Sequence, residues 1–158
     1  MEIVKGTYIL DLTKSEEELM ASFDKGRRWA IKKGEREHIP VSIYDNVHII
    51  YLQDKNYNPS SILGFKIEDN KAILVVTNND SALKHLQGNS LAYWETIKYA
   101  KKLGATFMDL GGVDMYPTES QKHINAFKKD FGGELVTYTR KVSIVDWFKS
   151  KFKRFVKK

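Results

Sequence analysis

The chain has 158 residues, 42% hydrophobic and 29% charged, the composition of a folded domain long enough to bury a core without a disulfide or metal staple. It contains no cysteine, which excludes thiol nucleophiles, disulfide frameworks and Cys-ligated zinc. The formal net charge of +6 belongs to the tail: 149–158 carry six basic residues and no acid, and removing those six from the 26 leaves 20, equal to the 20 acidic residues.

Residues 7–12 alternate and predict a strand. Thr13 and Ser15 each precede a Glu by three residues, the capping-box spacing, ahead of Leu19, Met20, Phe23, Trp29 and Ile31. This predicts one helix running to about 33, weakened at Gly26 and stopped by Gly34. A strand is expected over 40–44, and the second apolar run, 48–52, reads as a strand or the end of a helix. Segments 62–67 and 72–77 flank Glu68-Asp69-Asn70-Lys71 and predict a hairpin. A polar loop with a helical turn follows over 78–87. Leu91, Trp94, Ile97, Ala100 and Leu103 keep helical spacing behind Asn89-Ser90, and Gly104 closes that helix. Residues 106–110 read as a buried strand ending in Gly111-Gly112. A short helix over 120–129, a strand over 134–142 and a basic amphipathic helix over 145–158 complete the chain. The order fits an α/β or α+β pattern, one sheet with helices on both faces, as a single domain over 1–144 with 145–158 as an appended helix.

Five segments could carry chemistry, each with a plain structural alternative. Gln87-Gly88-Asn89-Ser90 opens a helix, where free N–H groups can meet an anion or simply be capped. Asp109 followed by Gly111-Gly112 places a carboxylate near a strand end, where α/β sheets bind ligands; a local turn explains it equally well. Lys128 and Lys129 could hold a phosphate or a developing oxyanion, or form a solvated pair, while Phe127 and Phe131 are spaced as core partners. Arg27 and Arg28, beside Trp29, Lys32 and Lys33, could face phosphate or solvent. In the tail, Val145, Phe148, Phe152, Phe155 and Val156 form an apolar stripe among lysines, suited to an anionic membrane surface, to RNA or to packing on the sheet. The four histidines lack metal-ligand spacing, so no metal is expected, and no P-loop or GxSxG motif is present.

Three of these segments, in order, resemble one family. Gly88-Asn89-Ser90-Leu91-Ala92-Tyr93-Trp94-Glu95-Thr96-Ile97-Lys98-Tyr99-Ala100-Lys101-Lys102-Leu103-Gly104 leads into Phe107-Met108-Asp109-Leu110-Gly111-Gly112. Then comes Phe127-Lys128-Lys129-Asp130-Phe131-Gly132-Gly133-Glu134-Leu135-Val136. The run is similar to the C-terminal signature of the Fem family, the aminoacyl-tRNA-dependent transferases of peptidoglycan interpeptide bridges. The segment Arg27-Arg28-Trp29-Ala30-Ile31-Lys32-Lys33-Gly34-Glu35 resembles that family's basic helix more loosely.

The resemblance implies a GNAT-like acyltransferase fold with a mixed, mostly antiparallel central sheet. It implies transfer of an amino acid from aminoacyl-tRNA to an amine on a peptidoglycan precursor. Lys128 would stabilise the oxyanion and Asp109 would position. Phe127, Lys129, Gly88, Asn89, Ser90, Gly111, Gly112, Arg27 and Arg28 would line the substrates. No cofactor is implied, because aminoacyl-tRNA is itself the donor. Family members usually carry two such subdomains, and this chain matches the second. A homo-oligomer or a separate partner would then stand in for the first.

An acyl-CoA-dependent GNAT N-acetyltransferase is the alternative. Its loop has the form Gln/Arg-x-x-Gly-x-Gly/Ala, which His85-Leu86-Gln87-Gly88-Asn89-Ser90 misses at both ends. A non-catalytic tRNA- or membrane-binding module is the third reading. No run approaches the roughly 20 apolar residues of a membrane span and no leader is evident, so the expected location is the cytoplasm or the inner membrane face.

Overall fold

The computed structural model describes residues 1–79, 81–146 and 149. Among the described residues, seven strands form one sheet in the order β2-β3-β4-β5-β6-β1-β7. They are β1 (Glu2–Asp11), β2 (Val41–Tyr44), β3 (Ile49–Gln53), β4 (Pro59–Glu68), β5 (Lys71–Asn79), β6 (Phe107–Asp114) and β7 (Glu134–Lys141). Every pairing is antiparallel except β5 with β6. The helices are α1 (Glu16–Ser22), α2 (Lys25–Arg36), α3 (Gly88–Lys102) and α4 (Glu119–Lys129). The mixed, mostly antiparallel α+β domain expected from the sequence is what forms. Of the expected tail helix, Val145, Asp146 and Lys149 are described, and the remainder of 145–158 lies outside the described residues.

Local chemistry sets most boundaries. Ser15 and Glu18 cap α1 reciprocally, at 3.1 and 2.8 Å, whereas Thr13 turns back onto Asp11. The β4–β5 hairpin turns on Asp69 and Asn70, both at positive φ (+48° and +61°), a pairing that suits the twist of the strands. At α4, the Gln121 side chain accepts from the Thr118 N–H at 2.9 Å.

Three expectations are corrected. The helix expected to run unbroken from Ser15 to 33 is two helices. Phe23 leaves the helical region and Asp24 caps a new start, its carboxylate accepting from the Gly26 N–H at 2.9 Å. Gly34 does not stop α2; it lies buried inside it, where an added Cβ would sit 3.0 Å from the Leu91 Cβ. The glycine is there so that α2 and α3 can approach closely. The strand expected to end at Gly111 runs on to Asp114, because β1 keeps pairing with it beyond an irregularity between Thr7 and Ile9, and Gly111 takes φ +86° opposite that break.

Register places Leu10, Ile50, Leu63, Phe65, Leu74 and Met108 on one face of the sheet. That face is buried under Leu19 of α1, Ile31 of α2 and Leu91, Ala92 and Ile97 of α3. Ile31, Ile50 and Ile97 are wholly inaccessible. Burying each such side chain contributes about 1.5–3 kcal/mol, so the core fixes how α2 and α3 lie on the sheet. The β5–β6 ladder pairs only Lys71, Ala72 and Ile73 with Phe107, Met108 and Asp109. Beyond those residues the two strands part, β5 towards Asn79 and β6 towards Gly111-Gly112. Several of the candidate residues gather around that opening.

Candidate functional site

A cavity of about 400 Å³ is lined by Arg27, Asn79, Ser81, Lys84, Gln87, Asn89, Ser90 and Phe127. These come from α2, the end of β5, the loop behind it, the first turn of α3 and the end of α4. Among these lining residues there are two cations, three amides, two hydroxyls and no carboxylate, a set that suits an anion.

Arg27 organises one wall. Its guanidinium lies 3.8 Å above the centre of the Phe127 ring and 5.1 Å from that of Phe131. Nη1 donates to Ser90 Oγ at 2.6 Å, and Nη2 to the Phe127 carbonyl and to Asp130 at 3.4 Å each. Nε is buried without a hydrogen-bond partner among the described residues. Burial pushes the Arg27 pKa down, and the Asp130 carboxylate opposes this. Behind Phe127 the rings of Tyr93 and Phe131 sit 4.9 and 5.4 Å away. Phe131 in turn meets Phe23 edge-on at 5.2 Å. Burial pushes the Tyr93 phenol up to about 12, against the pull of Arg27. The wall is therefore an aromatic block with one cation held on its face.

Lys128, the next residue, turns the other way. It is 9% exposed, and its ammonium donates to the Gly112 carbonyl of β6 at 3.0 Å. An added Cβ on Gly111 would lie 3.3 Å from Nζ. Burial lowers the Lys128 pKa, partly offset by attraction to Asp109. Asp109 accepts the Thr7 hydroxyl and the Gly111 N–H, the latter at 2.8 Å. Thr7 also reaches the Gly111 carbonyl at 3.1 Å. The carboxylate is thus held by β1 and by its own strand, close enough to influence Lys128. An ammonium at this position, beside a strand kink, has the chemistry to stabilise a developing negative charge.

The structure brings Arg27, Asn89, Ser90 and Phe127 to the cavity, and Lys128, Asp109, Gly111 and Gly112 to the neighbouring β6 cluster. Gly88 is buried at the start of α3 and does not line the cavity, its N–H donating to the Leu83 carbonyl at 3.0 Å. Lys129 is exposed on the outer side of α4. Arg28 bonds the Ala21 and Phe23 carbonyls at 3.2 and 2.6 Å and lines a separate groove with Trp94 and Lys98. Gln87, at the head of the Gly88-Asn89-Ser90 segment, also reaches the cavity, and it is joined there by Asn79, Ser81 and Lys84 from the stretch expected only as a polar loop, whose polarity is its one signal in the sequence. Among the described residues no cluster of His, Asp and Glu is placed to hold a metal, and no helix is long and apolar enough to cross a membrane.

The FemAB family model matches residues 52–158, more than half of the chain. The match includes α3, β6, α4 and β7 but not the Arg27 helix. No curated protein sequence matches the chain. Among solved structures, FemX superimposes with a TM-score of 0.72 at 14% identity, covering 85% of this chain and 61% of its own. The C-terminal DUF2156 domain of an Agrobacterium fabrum protein gives 0.63 at 10% identity over 98% of this chain and 66% of that one. L-PGS from Bacillus licheniformis gives 0.57 at 11%, over 88% and 60%. At these identities the likeness is one of fold, and the chain spans about three-fifths of the length of FemX and L-PGS.

Proposed function

Because the chain belongs to the FemAB family, we propose that it is an N-acyltransferase that moves an aminoacyl group from aminoacyl-tRNA to an amine of a peptidoglycan-precursor peptide. The observation that carries the reading is Lys128: a nearly buried ammonium, held 3.0 Å from the Gly112 carbonyl and attracted by Asp109. A neutral acceptor amine attacks the ester carbonyl, and the carbonyl oxygen takes the negative charge. Lys128 stabilises that oxyanion. Collapse breaks the ester C–O bond and expels the ribose oxygen, which gains the proton lost by the amine. Asp109 touches neither reactant in this scheme; it positions Lys128 and favours its charged form.

The cavity beside Phe127 supplies the donor subsite. Arg27 and Lys84 face a phosphate of the tRNA acceptor end, with Asn89 and Ser90 in the first turn of α3. Gly111 and Gly112 let substrate approach the β6 backbone. Residues 149–158 add non-specific attraction to tRNA or to an anionic membrane surface, placing the reaction in the cytoplasm at the inner membrane face. The reading calls for no cofactor.

Binding of charged tRNA, uncharged tRNA and acetyl-CoA, with and without 149–158, tests the donor class. Preference for charged tRNA that survives tail removal is the expected result. Saturable acetyl-CoA binding without tRNA preference would move the chain to the acyl-CoA-dependent acetyltransferases. Tail-dependent, charging-blind tRNA binding would leave only a binding module.

A further inference from the structure

The two edges of the sheet are treated differently. β2 is four residues long and follows Pro40, which limits what can pair with it. β7 is eight residues long, contains no proline, and pairs with β1 without a register break. Its other edge has no strand partner among the described residues, and all eight residues are exposed. Leu135, Val136 and Tyr138 are 42%, 40% and 47% exposed. A long, regular edge strand with apolar side chains is a template for another strand.

We propose that a second copy of this chain docks on β7, antiparallel, so that the two sheets join edge to edge about a twofold axis at Thr137. The sequence of the strand identifies the occupant, because it is complementary to itself. Pairing with β1 sets Glu134, Val136, Tyr138 and Arg140 opposite Ile9, Thr7, Lys5 and Ile3, on one face. Leu135, Thr137, Thr139 and Lys141 lie on the other. A twofold axis at Thr137 sets Glu134 opposite Arg140 of the second copy, and Val136 opposite its Tyr138. Leu135 then faces Thr139, and Thr137 faces itself. Glu134 meets Arg140 and Val136 meets Tyr138, twice over by symmetry, which are favourable cross-strand pairs. A shift of the axis by one residue either way breaks this. Centred on Val136, Arg140 has no partner; centred on Tyr138, Glu134 has none. The inference is independent of the proposed chemistry, since β7 lies outside the cavity.

A strand-to-strand contact is small, so association in the micromolar range is expected. Sedimentation of the full chain, across about 1 to 300 μM, should carry the mass from 18.3 kDa towards twice that value. Glu134→Arg and Arg140→Glu each set like charges in opposition at two symmetric places and should raise the dissociation constant about tenfold or more. The double variant re-forms the pairs in reverse and should return to within about threefold of the parent. Both side chains are exposed, and circular dichroism checks that each variant folds. As a second measurement, the β7 amides that face away from β1 should gain hydrogen-exchange protection as concentration rises. A chain that stays at 18.3 kDa throughout overturns the proposal. So does a dimer indifferent to either single change, a double variant that is not rescued, or β7 exchange that ignores concentration.

Discussion

Arg27 is the residue on which the cavity wall depends, and its removal has a calculable consequence. Arg27→Ala deletes the charge-assisted bond to Ser90 at 2.6 Å, worth about 1.5–3 kcal/mol. It also deletes the stack 3.8 Å above Phe127, worth about 2 kcal/mol when desolvated. Against these stands the desolvation of the guanidinium, whose side chain is only 11% exposed and which no longer has to be kept from water. The net expectation is a loss of about 2–3 kcal/mol, and each kcal/mol lowers the melting temperature of a domain this size by about 2–4 °C. Arg27→Lys keeps the charge but not the plane or the fork, so it should recover less than half of the loss. Urea unfolding with a fitted m-value measures both, and an unchanged m-value keeps the comparison to stability alone. An Ala variant within about 0.5 kcal/mol of the parent, the range of inert surface changes, would refute the reasoning. So would a Lys variant indistinguishable from it.

Other expectations concern the β6 cluster and the packing glycines. Transfer should fall as pH rises through the Lys128 pKa, which burial sets below 10.5, because the neutral amine cannot stabilise an oxyanion; a pH–rate profile reads this basic limb. Asp109→Asn removes the charge that raises that pKa, while its amide oxygen can still accept from Thr7 and Gly111, so the limb should move to lower pH. A limb that stays in place would mean Asp109 does not act through Lys128. The same ammonium links stability to pH. Its folded pKa is lowered, so between that value and 10.5 the unfolded chain binds more protons and stability rises with pH, and Lys128→Met should flatten this rise in urea titrations. Gly132→Ala forces a Cβ to 2.4 Å from the Ser22 carbonyl oxygen at φ +70° and should cost more than about 3 kcal/mol in the same assay. A smaller loss would show that the α1 end gives way.

Much of the fold could be read along the chain because its signals are local. Asp69-Asn70 turned the hairpin, and the spacing from Leu91 to Ala100 made α3. Ser15 and Glu18 capped α1 as their spacing indicated. The division between α1 and α2 was also local, in the Asp24 cap, but the apolar run through Phe23 hid it. The course of β6 past Gly111 could not be read, because it is decided by β1, about a hundred residues earlier in the chain. The site shows the same division. Lys128 and Phe127 stood out as a motif, whereas which of Lys128 and Lys129 is buried depends on the placement of α4 against β6. Arg27 was singled out with Arg28, and the side chains separate only because Ser90 and Phe127 are brought to one of them. Asn79, Ser81, Lys84 and Gln87 share a cavity without any shared periodicity. Such a wall is made by tertiary approach and leaves no pattern in sequence.

The most direct measurement is single-turnover transfer from labelled aminoacyl-tRNA to a peptidoglycan-precursor amine, comparing the parent with Lys128→Ala at matched tRNA occupancy. The account predicts transfer by the parent and a loss of about a hundredfold or more in the variant, the scale of removing one oxyanion donor, with tRNA binding unchanged. Transfer that proceeds equally well without the Lys128 ammonium would contradict it.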